Sequence, residues 1–140
     1  WDFKILASDI STRVLVRAAS GVYEEDRVRA LPKKTVERHF LKGVGDHIGM
    51  VKVKPHLTQM VRFRRINLMD ESYPISAPLD LIFCRNVMIY FDRPTQAQLA
   101  TKFYRYLKPG GFLFIGHSES LQRLDQPLVP VAPTIYQKER

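Results

Sequence analysis

Arg85, Asn86 and Tyr90 are the residues of this sequence best suited to bind and orient a small polar ligand. Arg85 and Asn86 directly follow the apolar run 81–84, which is short and bulky enough to predict a buried strand. In open α/β sheets, ligands bind beyond the carboxyl ends of the strands. Tyr90 follows within the same segment and would bring a phenolic hydroxyl back toward that edge. We therefore predict that the chemistry takes place at residues 85–90.

Asp9 and Asn67 stand at the predicted ends of two further strands, at residues 4–7 and 61–68. A carboxylate at a strand end accepts hydrogen bonds from the ribose hydroxyls in dinucleotide-binding folds. Asp9 equally suits the capping of a following helix, and the sequence leaves both functions open. In a mostly parallel sheet, Asp9, Asn67 and residues 85–86 would project from one edge. That convergence predicts a nucleoside-like ligand.

Each of these side chains also has a purely structural explanation. Arg85 could form an ion pair with Asp80 or Asp92, and Tyr90 could be a core aromatic with a satisfied hydroxyl. Cys84 is interpreted as a small buried hydrophobe and not as a nucleophile. No Cys or His spacing typical of a zinc site is present, because the histidines are scattered at positions 39, 47, 56 and 117. We therefore predict no metal.

The elements around these residues alternate between strands and helices, which predicts an α/β fold. Ser11 is predicted to cap a helix through Ala18 that Gly21 ends, and a second helix begins at Pro32 and carries Val36, Phe40 and Leu41 on one face. The alternating segments 47–54 and 61–68 predict a hairpin-like antiparallel region, with Pro55 closing its first strand. The remaining predictions are a helix over 94–106, a strand over 112–115, and a terminal antiparallel pair over 128–131 and 134–136.

The positive charge is concentrated in one region. Residues 27–65 contain eleven Lys and Arg against two acids, a net of +9, so the rest of the chain carries −1 of the total of +8. Such a region suits an acidic partner, although a charge run is more often simply a solvated surface. Nucleic acid is a weak option without an RNA-binding or zinc-finger pattern. No apolar run is long enough to predict membrane insertion, and the single cysteine fits a reducing cytoplasm.

Five short motifs together resemble the CheR-type chemoreceptor methyltransferases. They are residues 5–10, 67–68, 82–91, 107–111 and 116–120. Enzymes of this bacterial family use S-adenosylmethionine to methylate glutamate side chains of chemotaxis receptors. The likeness spans nearly all 140 residues, and the run Cys-Arg-Asn-Val-Met-Ile-Tyr-Phe is its most specific part. The resemblance implies a Rossmann-like class I methyltransferase sheet with helices on both faces. It makes residues 1–140 a partial S-adenosylmethionine-dependent domain, with a small antiparallel β-subdomain inserted at about residues 42–65.

The resemblance also implies a role for each candidate residue. The cofactor S-adenosylmethionine, and its product S-adenosylhomocysteine, would be bound by Asp9 at the ribose, by Asn67 and the Leu68 backbone at the adenine, and by Arg85 and Asn86 in the pocket. Tyr90 would face the transferred methyl group, with Arg85 beside it as a second catalytic candidate. No metal takes part.

Receptor binding is implied for the inserted β-subdomain. Its partners would be the acidic methylation helices of chemoreceptors and, in some family members, their C-terminal tails. Gly43 and Gly45 match the Gly-x-Gly turn of tail-binding members, while Lys42 and Lys52 stand where those members carry arginine. Lysine offers a point charge in place of a planar fork, so these two positions depart from the family pattern.

The family's glycine-bearing first strand and its N-terminal helical domain would precede Lys4, and neither lies within these residues. Because that strand lies beside the one ending at Asp9, we expect two unpaired internal sheet edges, a risk of self-association, and no activity from this chain alone. Two alternatives to an enzyme remain open. One is a truncated, non-catalytic module that binds receptors or signalling proteins, and the other is a nucleic-acid-binding protein.

Overall fold

A computed structural model describes residues 3–76 and 78–140. The chain divides into two compact units, Trp1–Asp70 and Glu71–Arg140. Within the described residues, no helix has the length and apolar character needed to cross a membrane.

The first unit contains a parallel strand pair and a helix whose two ends follow from local sequence. Strands β1 (Ile5–Asp9) and β5 (Val61–Arg65) pair in parallel, with Asp9 opposite Arg65. Helix α1 (Thr12–Ser20) begins where the Ser11 side chain accepts a hydrogen bond from Val14 N. It ends at Gly21, whose φ of 63° lies in the left-handed region that glycine adopts without strain. The predicted cap and stop are both confirmed.

A three-stranded antiparallel sheet forms the rest of the first unit. It contains β2 (Val22–Glu24), β3 (Phe40–Lys42) and β4 (Met50–Val53), in the order β2-β4-β3. The short helix α2 (Lys33–His39) lies between β2 and β3 in sequence, and the short helix α3 (Pro55–Thr58) follows β4. Helix α3 begins at Pro55, so this proline closes β4 as predicted.

Two predictions about this region are wrong. Phe40 and Leu41 belong to β3 and not to the second helix, because the chain leaves helical geometry at Phe40 and pairs it with Val53. Strand β5 pairs with β1 and is not part of the antiparallel sheet, so the strands of that sheet span residues 22–53 and not the predicted 42–65. Alternation of apolar and polar residues identifies a strand without specifying its partner.

The second unit is a mixed four-stranded sheet with one long helix. Strand β6 (Leu79–Cys84) runs parallel to β7 (Leu107–Ile115), and β9 (Ile135–Gln137) pairs antiparallel with both β7 and β8 (Val129–Ala132). Helix α4 (Arg93–Tyr106) is capped by Asp92, which accepts a hydrogen bond of 2.9 Å from Thr95 N. The unit's core includes Leu99, Phe103, Leu113, Ile115 and Tyr136. The predicted helix, the parallel strand and the terminal pair are confirmed, although β7 begins at Leu107 and not at Phe112.

Strands β1 and β6 each have a hydrogen-bonded neighbour on one side only within the described part of the chain. The open internal edges expected at these two strands stay a prediction. The prediction that β6 is fully buried is wrong, because Leu81 is 43% and Phe83 is 66% exposed while Cys84 is buried. Phe83 stacks on Phe114 with ring centroids 4.6 Å apart, so one face of the β6–β7 pair is only partly covered by the described residues.

Candidate functional site

Asp9 and Asn67 lie at the same edge of the first unit. Asp9 is the last residue of β1 and is paired with Arg65, the last residue of β5. The carbonyl of Asp9 accepts a hydrogen bond of 3.2 Å from Ile66 N, directly before Asn67. Because the two strands are parallel, their carboxyl ends bring these side chains to one edge, as the sequence predicted. Leu68 follows Asn67 there and is half-buried.

Both side chains are oriented by local hydrogen bonds. Asp9 Oδ1 accepts from Ser11 N at 2.7 Å, and Asn67 Oδ1 accepts from Met69 N at 3.0 Å. A hydrogen bond between an Asp or Asn side chain and the backbone two residues later forms a local turn. It orients the side chain and uses only one of its polar atoms. Within residues 3–76 and 78–140, the second carboxylate oxygen of Asp9 and the amide nitrogen of Asn67 have no hydrogen-bond partner. Asp9 therefore supports the turn into α1, whose N-cap is Ser11, and binding of a ligand hydroxyl by its second oxygen stays a prediction.

Arg65 is a supporting residue that the sequence analysis missed. Its Nε donates a hydrogen bond of 3.0 Å to the carbonyl of Ile10, which ties the end of β5 to the turn after β1. A basic residue in an alternating strand gives no sign of such a partner before the pairing of the strand is known.

In the second unit, Arg85, Asn86 and Tyr90 lie on the segment that follows β6. Asn86 has a φ of 59°, in the left-handed region that asparagine tolerates better than most residues. Met88–Tyr90 form one 3₁₀ turn, and the Tyr90 side chain is 80% exposed. Arg85 and Asn86 are also exposed, so all three side chains are accessible.

The structural alternatives for Arg85 and Tyr90 are not realised in the described residues. Asp80 forms its ion pair with Lys108, and Asp92 caps α4. Neither acid is therefore a partner for Arg85. Tyr90 is not a core aromatic, because most of its surface is exposed. The interpretation of Cys84 holds, since its side chain is buried. Burial and, after it, the negative charge of Glu119 raise the pKa of the Cys84 thiol to about 12, so it stays protonated.

Glu119 is the principal residue that the sequence analysis missed. Its carboxylate is buried and accepts five backbone hydrogen bonds. Oε2 accepts from Asn86 N at 3.0 Å and from Gly116 N at 2.5 Å. Oε1 accepts from the N–H groups of Val87, Met88 and Ile89 at 2.9, 2.7 and 3.3 Å. The sequence gives one signal for this residue, which is an acidic side chain shortly after the apolar run 112–115.

The pKa of Glu119 is set by two opposed effects. Burial is the larger single effect and acts to raise the pKa, but hydrogen bonds from Gly116, Asn86, Ile89 and Met88 together outweigh it. The pKa of this carboxyl is therefore lower than its ordinary value, and the residue is ionised at neutral pH.

We expect this ionisation to make stability depend on pH. Because the folded-state pKa is lowered, the stabilisation is fully present above the unfolded value of about 4.3 and is lost as the pH falls through the folded value. Urea unfolding of the full gene product that contains this chain, followed between pH 7 and pH 3, should show stability declining below about pH 4.3. Glu119→Gln should flatten that part of the curve, whereas an equally steep decline in the variant would contradict the assignment.

The proposed tail-binding residues lie in and beside the antiparallel sheet. Lys42 is opposite Val51, the neighbour of Lys52, so the two lysines point to opposite faces of the sheet. Lys42 forms an ion pair of 3.0 Å with Glu25. The structure therefore does not bring the two lysines together on one face, and tail binding stays a prediction.

The two glycines of this set are required by the local backbone. A Cβ on Gly43 would overlap the carbonyl oxygen of His47, and Gly45 has a φ of 58°. Replacing either glycine by a residue with a side chain would therefore strain the turn, whatever the turn binds.

Each unit thus carries its own cluster of candidate residues at the ends of parallel strands. Asp9, Asn67 and Leu68 belong to the first, and Arg85, Asn86 and Tyr90 to the second. Convergence of strand ends is observed for the first cluster, and a rim common to both clusters stays a prediction. Among the described residues, no three His, Cys, Asp or Glu side chains are grouped so that they could hold a metal ion.

Comparison with known proteins supports the resemblance over nearly the whole length. The sequence model of the family described as "CheR methyltransferase, SAM binding domain" matches residues 1–136. The chain belongs to the CheR methyltransferase family. The mixed α/β architecture agrees with the Rossmann-like methyltransferase fold predicted for this family.

Similar proteins come from several bacteria. The chain is 42% identical over 134 residues to "Chemotaxis protein methyltransferase" of Escherichia coli strain K12, covering 96% of this chain and 47% of that protein. It is 44% identical over 133 residues to "Chemotaxis protein methyltransferase 2" of Pseudomonas aeruginosa, covering 95% and 48%. It is 47% identical over 135 residues to "Chemotaxis protein methyltransferase" of Borreliella burgdorferi, covering 96% of this chain and 46% of that protein. The chain therefore spans about half the length of these relatives.

Proposed function

We propose that this chain is the S-adenosylmethionine-binding part of a cytoplasmic protein-glutamate O-methyltransferase that acts on bacterial chemoreceptors. The observation that carries the proposal is the family match over residues 1–136. The similar proteins are named chemotaxis protein methyltransferases, which supports the same reaction class. The single cysteine fits the proposed compartment.

The residues at the strand ends fit the proposed cofactor. A ribose presents two hydroxyl donors, and Asp9 has a carboxylate oxygen without a partner among the described residues. Asn67 is oriented by Met69 N and has an amide that can bind an adenine edge. Arg85 and Asn86 are exposed polar groups on the segment after β6. We propose that these four residues, with the backbone of Leu68, hold S-adenosylmethionine.

The proposed reaction needs orientation more than acid–base catalysis. When bound, S-adenosylmethionine supplies a methyl group on a positively charged sulfonium, which a carboxylate oxygen can accept. A glutamate with a pKa of about 4.3 is already ionised at neutral pH, so no strong base is required. The exposed Tyr90 hydroxyl would orient that carboxylate. The positively charged side chain of Arg85 would be a second contact. Correct orientation of reacting groups can lower an activation barrier by on the order of 7–11 kcal/mol. We assign this orienting role to the segment that carries Arg85 and Tyr90.

The direct test is methyl transfer by the full gene product that contains this chain. We expect it to move a radiolabelled methyl group from S-adenosylmethionine to the glutamates of a chemoreceptor cytoplasmic domain. Mutating the receptor's methylated glutamates to alanine should abolish labelling. Tight receptor binding without any label would instead support the non-catalytic alternative.

Salt should slow this reaction if the basic region guides the enzyme to acidic receptor helices. Residues 27–65 carry a net charge of +9, and attraction between exposed charges is screened beyond about 8–10 Å at physiological salt. We expect kcat/KM for receptor to fall about tenfold between 50 and 300 mM NaCl, with kcat little changed. A rate that does not respond to salt would remove the basic region from receptor recognition.

A further inference from the structure

We propose that Glu119 is a positioning residue: its carboxylate fills a ring of backbone N–H groups and thereby fixes the segment that carries Asn86 and Tyr90. The inference rests on the proposed function for its catalytic consequence. Its structural basis lies wholly within the second unit and does not depend on that function.

Successive N–H groups of the segment converge on one anion. Asn86 has a left-handed φ of 59°, and Val87 follows with φ of −120° and ψ of −41°. Alternation of left- and right-handed residues turns consecutive N–H groups to the same side and creates a concave anion site. In this protein the anion is the side chain of Glu119, which the four N–H groups of residues 86–89 contact at 2.7 to 3.3 Å.

The opposite side of the segment is held from helix α4. Gln96 Nε2 donates hydrogen bonds of 2.9 Å to the carbonyls of both Met88 and Phe91. Glu119 therefore restrains the N–H groups and Gln96 restrains the carbonyls on either side of Tyr90. The segment that carries the 80% exposed Tyr90 thus has a backbone held by two side chains.

The hydrogen-bonded segment and Glu119 are closely packed against Gly116 and around Met88. A Cβ on Gly116 would lie 2.5 Å from Asn86 Oδ1 and 2.7 Å from Glu119 Oε2. Met88, which lies in the same turn as Tyr90, is only 1% exposed. Among the described residues, Glu119 is the side chain that accepts hydrogen bonds from these N–H groups.

A glutamine at position 119 cannot replace the carboxylate. An ionised carboxylate only accepts hydrogen bonds, whereas one end of an amide is an NH₂ donor. In Glu119→Gln, that NH₂ group would face either the two donors at Oε2 or the three donors at Oε1. At least two backbone N–H groups would lose their acceptor, and we expect the segment to move.

The test uses the full gene product that contains this chain, with Glu119→Gln and the exposed control Glu139→Gln. Hydrogen exchange followed by NMR should accelerate at the amides of residues 86–89 in Glu119→Gln, at least tenfold more than at the core amides of Leu113 and Ile115. Turnover should fall about ten- to hundredfold, because a displacement near 1 Å can cost that much. Glu139→Gln should match wild type in both measurements.

Coupling to Tyr90 separates positioning from general destabilisation. In a Tyr90→Phe background and at saturating cofactor, Glu119→Gln should lower turnover less than threefold further, because the hydroxyl that it positions is already gone. An equal fold-loss in both backgrounds, or unchanged exchange at residues 86–89, would overturn the proposal. If Glu119→Gln does not fold, Glu119→Asp decides: it should show intermediate exchange and turnover, and wild-type values for both would overturn the inference. A wild-type protein without methyl transfer would overturn the proposed function instead, while the exchange measurement would still decide whether Glu119 holds the segment.

Discussion

Gly116→Ala should destabilise the full gene product by about 3 kcal/mol and abolish most of its activity. The added Cβ would lie 2.5 Å from Asn86 Oδ1, 2.7 Å from Glu119 Oε2 and 2.9 Å from Asn86 N. The last of these is a backbone atom that is itself bound to Glu119, so the clash cannot be relieved by one side chain turning away.

Urea unfolding measures this effect, and Gly49→Ala is the matched control. Gly49 has a φ of 84°, and a Cβ added there would meet no atom within 4 Å, so its substitution costs only the backbone strain of about 1–2 kcal/mol. Gly116 does not have a positive φ, and its cost is steric. Equal stability of Gly116→Ala and wild type would show that the contact between Gly116 and the segment after β6 is wrong.

Tyr90→Phe should lower turnover about a hundredfold and leave the affinity for S-adenosylhomocysteine within about twofold of wild type. Removing one preorganised hydrogen-bond donor from a reaction site typically costs 10²- to 10³-fold. The Tyr90 ring is 80% exposed, so loss of its hydroxyl should leave the free energy of unfolding unchanged.

Steady-state kinetics and calorimetry on the same preparation separate the possible roles of Tyr90. Tyr23→Phe is the control, because Tyr23 is 40% exposed and belongs to the antiparallel sheet of the first unit. Unchanged turnover in Tyr90→Phe would remove this hydroxyl from the mechanism. A large loss of cofactor affinity would assign it to cofactor binding.

Local sequence predicted both ends of α1 and the start of α4 well, because short-range chemistry sets them. Ser11 and Asp92 bond to the first turns of α1 and α4, and Gly21 adopts the left-handed conformation that ends a helix. Strand partners were harder to predict, because they depend on contacts distant in sequence. Strand β5 alternates like an exposed hairpin strand yet pairs with β1, more than 50 residues earlier. Phe40 would suit the apolar face of a helix equally well, and its pairing with Val53 shows that it belongs to a strand.

The same distinction explains which site residues could be predicted. Asp9 and Asn67 follow directly from strand ends, and the parallel pairing places them at one edge. Glu119 could not be assigned, because its partners on the segment after β6 lie 30 to 33 residues earlier and are backbone groups without a sequence signature. Residue type shows what a side chain can bind, and only the fold shows what it meets.

Titration calorimetry of S-adenosylhomocysteine with the full gene product tests the central claim most directly. Wild type should bind, and Asp9→Asn should bind about ten- to hundredfold more weakly, since the amide keeps the acceptor for Ser11 N but replaces the second oxygen with a donor. Asp46→Asn, at an exposed position outside the proposed cofactor site, should bind like wild type. Absence of binding by wild type, or equal affinity for wild type and Asp9→Asn, would contradict the account.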